Sequence, residues 1–427
     1  MASGHPPFRI QDAVCWLAGC VVWRLASRPC SVIHQGTPEF RRTNLALFSA
    51  GFATFALLYC VQPLMPVFAR EFQVNAAQSS LPLSLTTGLI APAMIVAGAF
   101  SEARGRKGIM VASLGASALL TVACAFSWRW GALLTFRAIA GITFAGLPAI
   151  SMAYLAEEVH PTSLGLAMGL AIGGNGLGGM VGRLVTSFIT DLLSWRWAMG
   201  TIGILGVVAT VIFTRTLPPS RHFAAHPMRA GALARTMAQQ FRDPGLVALF
   251  VQGFLIMGVF VTTYNYATYH LLDPPYSLSQ SAAGLIFIVY LAGVFASAWI
   301  GARAARFGRR RMLLAMLGLM LAGVGLTALS PLASVVLGIA VVTFGFFGAH
   351  SVASTWVGLR AQKAKAQASA LYLFFYYMGS SIAGAAGGLF WEHAHWWGVV
   401  GFVTAMLVVG LTIASFAISE LPSTANV

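Results

Sequence analysis

From about residue 44 onward, apolar residues come in runs of roughly 20, the length that crosses a bilayer as a helix, and short polar breaks separate them. Twelve runs can be placed, at about 45–68, 79–100, 108–126, 130–154, 164–187, 196–214, 245–269, 280–300, 311–329, 333–358, 367–390 and 396–418. The pattern predicts an all-α transmembrane protein. One polar break is longer than the rest, from Arg215 to Asp243, with Pro218, Pro219 and Pro227 inside it and Pro244 just after. It divides the spans six and six. The expected organisation is a tail over 1–43, a six-helix bundle over 44–215, a linker over 216–243, a second bundle over 244–419 and a short tail over 420–427.

Composition agrees. Apolar residues make up 58% of the chain, charged residues 9%, and the mean hydropathy is +0.79. So few charges cannot cover a water-facing surface, so lipid is the solvent. The net charge of +15 raises the question of nucleic acid, and the placement of the charges answers it. Arg41, Arg42, Arg104, Arg106, Lys107, the arginines of the long linker, Arg303, Arg306, Arg309, Arg310, Arg311, Arg360, Lys363 and Lys365 all fall at one end of the spans. The other end holds Arg70, Arg129 and Arg196. This is the positive-inside bias, which predicts a bacterial inner-membrane protein with both termini cytoplasmic and no role in binding nucleic acid. Trp128, Trp130, Trp195, Trp197, Trp391, Trp396 and Trp397 cluster at the opposite end, where indoles favour the headgroup zone. Cys60 and Cys124 lie within spans and read as small apolar groups. Near the start, residues 13–23 are apolar but too short to cross. There Leu17, Ala18, Gly19 and Cys20 have the form of a lipoprotein cleavage site, against which Asp12 and the short apolar stretch argue. The segment is read as a cytoplasmic tail or a start-site artefact.

The halves repeat. Gly98, Glu102, Gly105, Arg106 and Lys107 follow the second span; Gly301, Ala305, Gly308, Arg309 and Arg310 follow the eighth. Gly105 and Gly308 are 203 residues apart. Internal duplication about a midplane site is how many secondary transporters are built. Both stretches resemble the cytoplasmic signature of the major facilitator superfamily, with Glu102 in its aspartate position and Ala305 in the degraded second copy. The resemblance implies a 12-helix major facilitator fold of two pseudo-symmetric six-helix bundles and a transport role. It further implies that Gly98, Glu102, Gly105, Arg106, Lys107, Gly308 and Arg309 belong to a latch that holds the outward-facing state.

Other residues suggest chemistry. Arg137 lies within the fourth span, where an arginine costs at least ~2.5–3.5 kcal/mol and should face a cavity or partner. Its spacing to Gly141 resembles the family's fourth-helix arginine motif, which is associated with proton-coupled exchange; snorkelling to the tryptophan end is the plainer reading. Gly169, Gly173, Gly174, Gly176, Gly178, Gly179 and Gly182 form a small-residue stripe that lets helices approach and slide. Gly174, Asn175, Gly178 and Gly179 resemble the family's antiporter signature, with Asn175 in place of proline. Arg183 is expected to anchor the tryptophan end, with a substrate-anion contact as the alternative. Tyr59, Gln62, Gln252, Asn265, Tyr266, Trp356, Tyr372 and Tyr376 are the substrate-cavity candidates, in helices that line the cavity of the resembled fold. His350 is placed deep in a span and titrates near neutrality.

No Asp or Glu occupies the middle of a span. A coupling proton would use Arg137, His350, Glu157 or Glu158, with Glu102 also possible. No metal-spaced cluster, nucleotide loop or catalytic motif is present, so an enzyme and an ATP-driven pump are disfavoured and the expected cofactor set is none beyond the proton. The expected function is a monomeric secondary transporter of a small-molecule substrate across the lipid bilayer, read first as proton-coupled efflux. Uptake by symport or uniport of a small organic anion is the alternative, and a non-translocating sensor is the reading from another class.

Overall fold

The computed structural model describes residues 32–223, 230–361 and 364–418. The lipoprotein-like stretch, Pro227, Lys363 and the tail beyond 420 lie outside these. The spans are α1 (Pro38–Phe72), α2 (Leu81–Arg104), α3 (Arg106–Ala125), α4 (Trp130–Glu158), α5 (Pro161–Leu192) and α6 (Trp195–Thr216) in the first half. The second half begins with α7 (Pro244–Leu272), α8 (Gln280–Phe307), α9 (Arg309–Thr327) and α10 (Leu332–Arg360). A last helical run, Lys365–Phe416, has 52 residues, roughly 78 Å at 1.5 Å per residue and far too long for one crossing. It breaks at Ala394 and His395, whose φ/ψ are non-helical, into α11 (365–393) and α12 (396–416). Twelve passes result among the described residues, as the apolar runs predict.

Local chemistry sets the starts. Pro38, Pro161 and Pro244 open α1, α5 and α7, where a missing N–H costs nothing. Thr37 and Asp243 cap α1 and α7 by accepting from the N–H groups of Phe40 and Gly245. Gly105 and Gly308 turn the chain between α2 and α3 and between α8 and α9 at φ of 95° and 88°, the conformation for which glycine suits both motif copies.

Close helix pairs tie each half, and the closest glycine approaches join α5 to α1 and α11 to α7. A Cβ on Gly174, Gly178 or Gly182 of α5 would lie 2.5, 2.0 or 2.6 Å from backbone atoms of Phe48, Phe52 and Ala56 in α1. The second half repeats the arrangement at Gly379 of α11, where a Cβ would run into the Phe254 carbonyl of α7, while at Gly387 it would meet the Thr262 side chain. Asn175 packs its side chain on Gly51 of α1. Gly174, Gly178 and Gly182 are therefore a fixed seam inside one half, while Gly169, Gly173 and Gly176 of the same stripe lie off that seam.

The sliding faces lie beside it. Along one face of α5, Ser187 meets Gly284, Arg183 meets Phe287 and Tyr290, and Gly176 meets Val294, all in the second half. Further toward the basic end, Gly173, Gly169 and Gly165 have nothing within 4 Å of a Cβ position. The α2 side matches: Ala77 meets Gly388 and Gly88 meets Ser381, while Gly98 meets nothing. The halves touch at the tryptophan end and part toward the basic end, which leaves a crevice between them.

Gly178→Ala is expected to lower stability by about 1–3 kcal/mol, because its Cβ meets backbone that cannot yield. Gly173→Ala should be neutral or gain up to roughly 1 kcal/mol, as alanine usually does over glycine in a helix. Melting curves in detergent compare the two.

Candidate functional site: the crevice between the halves

The wall of the crevice is aromatic and comes mainly from the second half. Helical spacing groups Phe346 with His350 on α10 and Tyr372 with Tyr376 on α11, and the packing of the two helices brings these groups together. His350 Nδ1 lies 2.9 Å from the Tyr372 hydroxyl, and its ring stacks on Phe346 and packs 4.7 Å from Tyr376. Phe346 stacks on Phe260 of α7 at 3.7 Å, and Tyr290 of α8 joins through Phe347. His350, Tyr372 and Tyr376, proposed separately from the sequence, thus form one surface.

The ceiling is polar. Arg183 is fully buried, donates from Nε to Gln62 Oε1 at 2.5 Å and from Nη1 to the Gly179 carbonyl at 2.6 Å, and lies over the rings of Tyr59, Tyr290 and Phe287 at 4.1, 4.8 and 5.3 Å. Gln62 in turn donates to Asn265 Oδ1 at 2.7 Å. Gln62 and Asn265 are 203 residues apart, the separation of the repeated motifs, so equivalent positions of the two halves bond to each other. Arg183 is no anchor at the tryptophan end, which corrects the expectation. The clue in the sequence is its place directly after Gly182, on the packed face, from which a side chain does not reach headgroups.

More bonds close the tryptophan end. Tyr269 of α7 bonds to Ser79 and the Met65 carbonyl at 2.7 and 3.0 Å, and Gln280 donates to the Pro63 carbonyl at 2.6 Å. Asp191, at the end of α5, accepts from Ser281 N at 3.2 Å; Glu392, at the end of α11, accepts from Ala77 N, also at 3.2 Å. Each half thus sets a carboxylate on the first turn of a helix in the other, where the helix dipole favours it. Tyr266 donates to the Gly384 carbonyl at 2.9 Å and stacks on Trp391, which places it in this closure.

Several expected roles change. Arg137 neither snorkels nor meets a carboxylate. It is buried and donates to the carbonyls of Leu57, Leu58 and Pro82 at 3.2, 2.8 and 3.2 Å. The α-helical part of α1 ends at Tyr59, so the carbonyls of its last turn want donors. Arg137 is a brace between α4, α1 and α2. Glu157 pairs with Arg106 at 2.6 Å, and Arg106 also donates to Ser101 Oγ at 2.6 Å. Glu158 is buried and accepts from Arg221 N, His222 N and His222 Nδ1 at 2.6, 2.9 and 3.0 Å, fastening the start of the linker. Lys107 holds the same segment through the Leu217 carbonyl at 2.6 Å. Both carboxylates face these partners, away from the aromatic wall. Glu102 makes no hydrogen bond or ion pair among the described residues. In the second copy Arg310 donates to the Ala414 and Ser415 carbonyls, while Arg309 has no described bond. Gln252 donates to the Gly410 carbonyl of α12 at 2.5 Å, a packing contact on the far side of α7 from the crevice. Trp356 is buried with Nε1 unpartnered.

Outside the spans, burial raises the Asp243 carboxyl, but the Arg360 guanidinium at 2.8 Å and the Gly245 N–H hold it below an ordinary aspartate's 3.8. A lowered folded pKa means that the pair stabilises at neutral pH and loses its effect as pH falls through that value. Asp243→Asn should cost roughly 0.5–1 kcal/mol at pH 7, and the cost should shrink as pH falls below the ordinary aspartate value of 3.8, in pH-resolved melting. Breaking the ceiling with Asn265→Ala should expose a cysteine placed at Ala77 to a membrane-impermeant maleimide about tenfold faster than in the parent, because the bond removed is one that closes this end.

The sequence model of the Major Facilitator Superfamily matches residues 47–273. The chain is 50% identical to the MFS-type transporter YybF of Bacillus subtilis over 90% of this chain and 95% of that one. It is 44% identical to the inner membrane transport protein YnfM of Escherichia coli over 91% and 93%. Among solved structures, the nucleoside transporter NupG superposes with a TM-score of 0.73 at 16% identity, covering 88% of this chain and 100% of that one. A bacterial homologue of the human lysosomal transporter Spinster, in an inward-facing occupied state, gives 0.72 at 16% identity, covering 90% and 97%. With two pseudo-symmetric halves, a crevice open at one end and relatives of this closeness along nine-tenths of its length, the chain belongs to the Major Facilitator Superfamily and is a multi-pass membrane transporter.

Proposed function

We propose that this transporter moves a small organic solute outward across the inner membrane by alternating access, in exchange for protons. The observation that carries the reading is that the two halves are bonded together at the tryptophan end and part toward the basic end. With the basic end in the cytoplasm, as charge bias requires, this is the state that loads solute from inside. The opposite state forms when the halves rock about their shared faces, with the closure at Gln62, Asn265, Tyr269 and Ser79 released and the Glu102 loop brought against the other half.

His350 supports the proton's part. It is the titratable imidazole of the aromatic wall, and the carboxylates Glu157 and Glu158 are held elsewhere by Arg106 and by the linker. A proton taken up on His350 from the outside breaks or reverses its bond to Tyr372, reshaping the wall where solute lies. The resemblance of Gly174, Asn175, Gly178 and Gly179 to an antiporter signature points the same way.

In inverted membrane vesicles given a mixed extract of small metabolites and an acid interior, wild-type protein should concentrate at least one solute in the lumen, as read by mass spectrometry. Loss of solute from the lumen under the same gradient means uptake; indifference to the gradient means uniport. His350→Ala should cut gradient-driven accumulation about tenfold while solute counterflow continues, the separation expected when coupling is removed but binding stays.

A further inference from the structure

Arg183 is a buried cation without a counter-ion. Its side chain is 1% exposed, and it enters no ion pair among the described residues. A guanidinium offers five N–H donors in a fixed fork. Nε and Nη1 are engaged by Gln62 and Gly179, while Nη2 donates to none of the described residues. A charge so placed is costly unless it is paired, and the faces of Tyr59, Tyr290 and Phe287 offset only part of that.

A second, independent group beside it is also unsatisfied. Tyr290 lies 4.8 Å beneath the guanidinium, is buried, and its hydroxyl has no hydrogen-bond partner. Buried hydroxyls are rarely left so. A forked cationic donor and an O–H donor that both lack an acceptor are what a carboxylate needs. From Tyr290 the aromatic wall runs on through Phe347 at 5.8 Å and Phe346 at 5.1 Å to His350. That surface suits a flat ring.

We propose that Arg183 and Tyr290 receive the carboxylate of a singly charged aromatic acid, whose ring lies against Phe347. The proposal rests on the crevice being the solute path. The charge of the acid follows from the count of available cations: of the other buried arginines described in the first half, Arg106 is paired with Glu157 and Arg137 is engaged by three carbonyls, so one unpaired positive charge faces the wall. The site is also joined to the closure. A carboxylate that draws Arg183 away competes with Gln62, and Gln62 holds Asn265 of the other half. Occupancy thereby loosens the bond that shuts the tryptophan end, so the substrate itself releases the closure.

The test uses binding alone, so its outcome is separate from whether vesicles show flux. Benzoate and its neutral isostere benzamide are titrated onto the purified full chain in detergent at fixed ionic strength, followed by melting temperature and calorimetry. Benzoate should raise the melting temperature saturably and benzamide should not. Arg183→Gln should weaken benzoate by at least about tenfold, and Tyr290→Phe, which keeps the ring, by about three- to tenfold. Equal binding of benzamide, no binding of benzoate to wild type, or an unchanged benzoate Kd in Arg183→Gln overturns the proposal. If Arg183→Gln does not fold, an unchanged Kd in Tyr290→Phe overturns it as well.

Discussion

The approach of α5 onto α1, glycine against carbonyl, is the contact on which the rest of the molecule depends. Three glycines one turn apart let two backbones meet with no side chain between them, and α11 meets α7 in the same way. In lipid there is no hydrophobic drive between helices, so close van der Waals packing must do the holding. The seam makes each half a rigid body. Motion is then left to the neighbouring faces of α2, α5, α8 and α11, where contacts are sparser and end partway along.

Those faces explain why a duplicated chain yields a one-ended crevice. The two halves are near equivalents, and Gln62 and Asn265 bond across the axis that relates them. The ends are not equivalent. One carries tyrosine hydroxyls, capping carboxylates and amide side chains that reach between halves. The other carries arginines whose bonds, where described, run within a half or to the linker.

Buried charge is handled in two different ways. Arg137 sits among carbonyls left over at the end of a helix turn, a neutral set of acceptors that fixes three helices. Arg183 has fewer acceptors and more rings, and part of its donor fork points at nothing. The first arrangement is complete by itself. The second is complete only with a ligand, which is why the same residue type reads as a brace in α4 and as a receptor in α5.

Much of this was legible in the sequence because lipid imposes a simple rule. Every backbone polar group must bond within its own helix, so length, apolarity and flanking charge give the spans, and repeated glycines at 105 and 308 give the halves. The positive φ at both turns and the pairing of Tyr372 with Tyr376 on one face of α11 also follow from spacing. What spacing does not specify is the rotation of each helix about its own axis. That rotation decided that Gln252 faces α12, that Glu157 and Glu158 turn to Arg106 and the linker, and that Arg183 faces the wall of the other half rather than the headgroups. Periodicity names the face a residue shares. Only the packing of one helix on another says what that face meets.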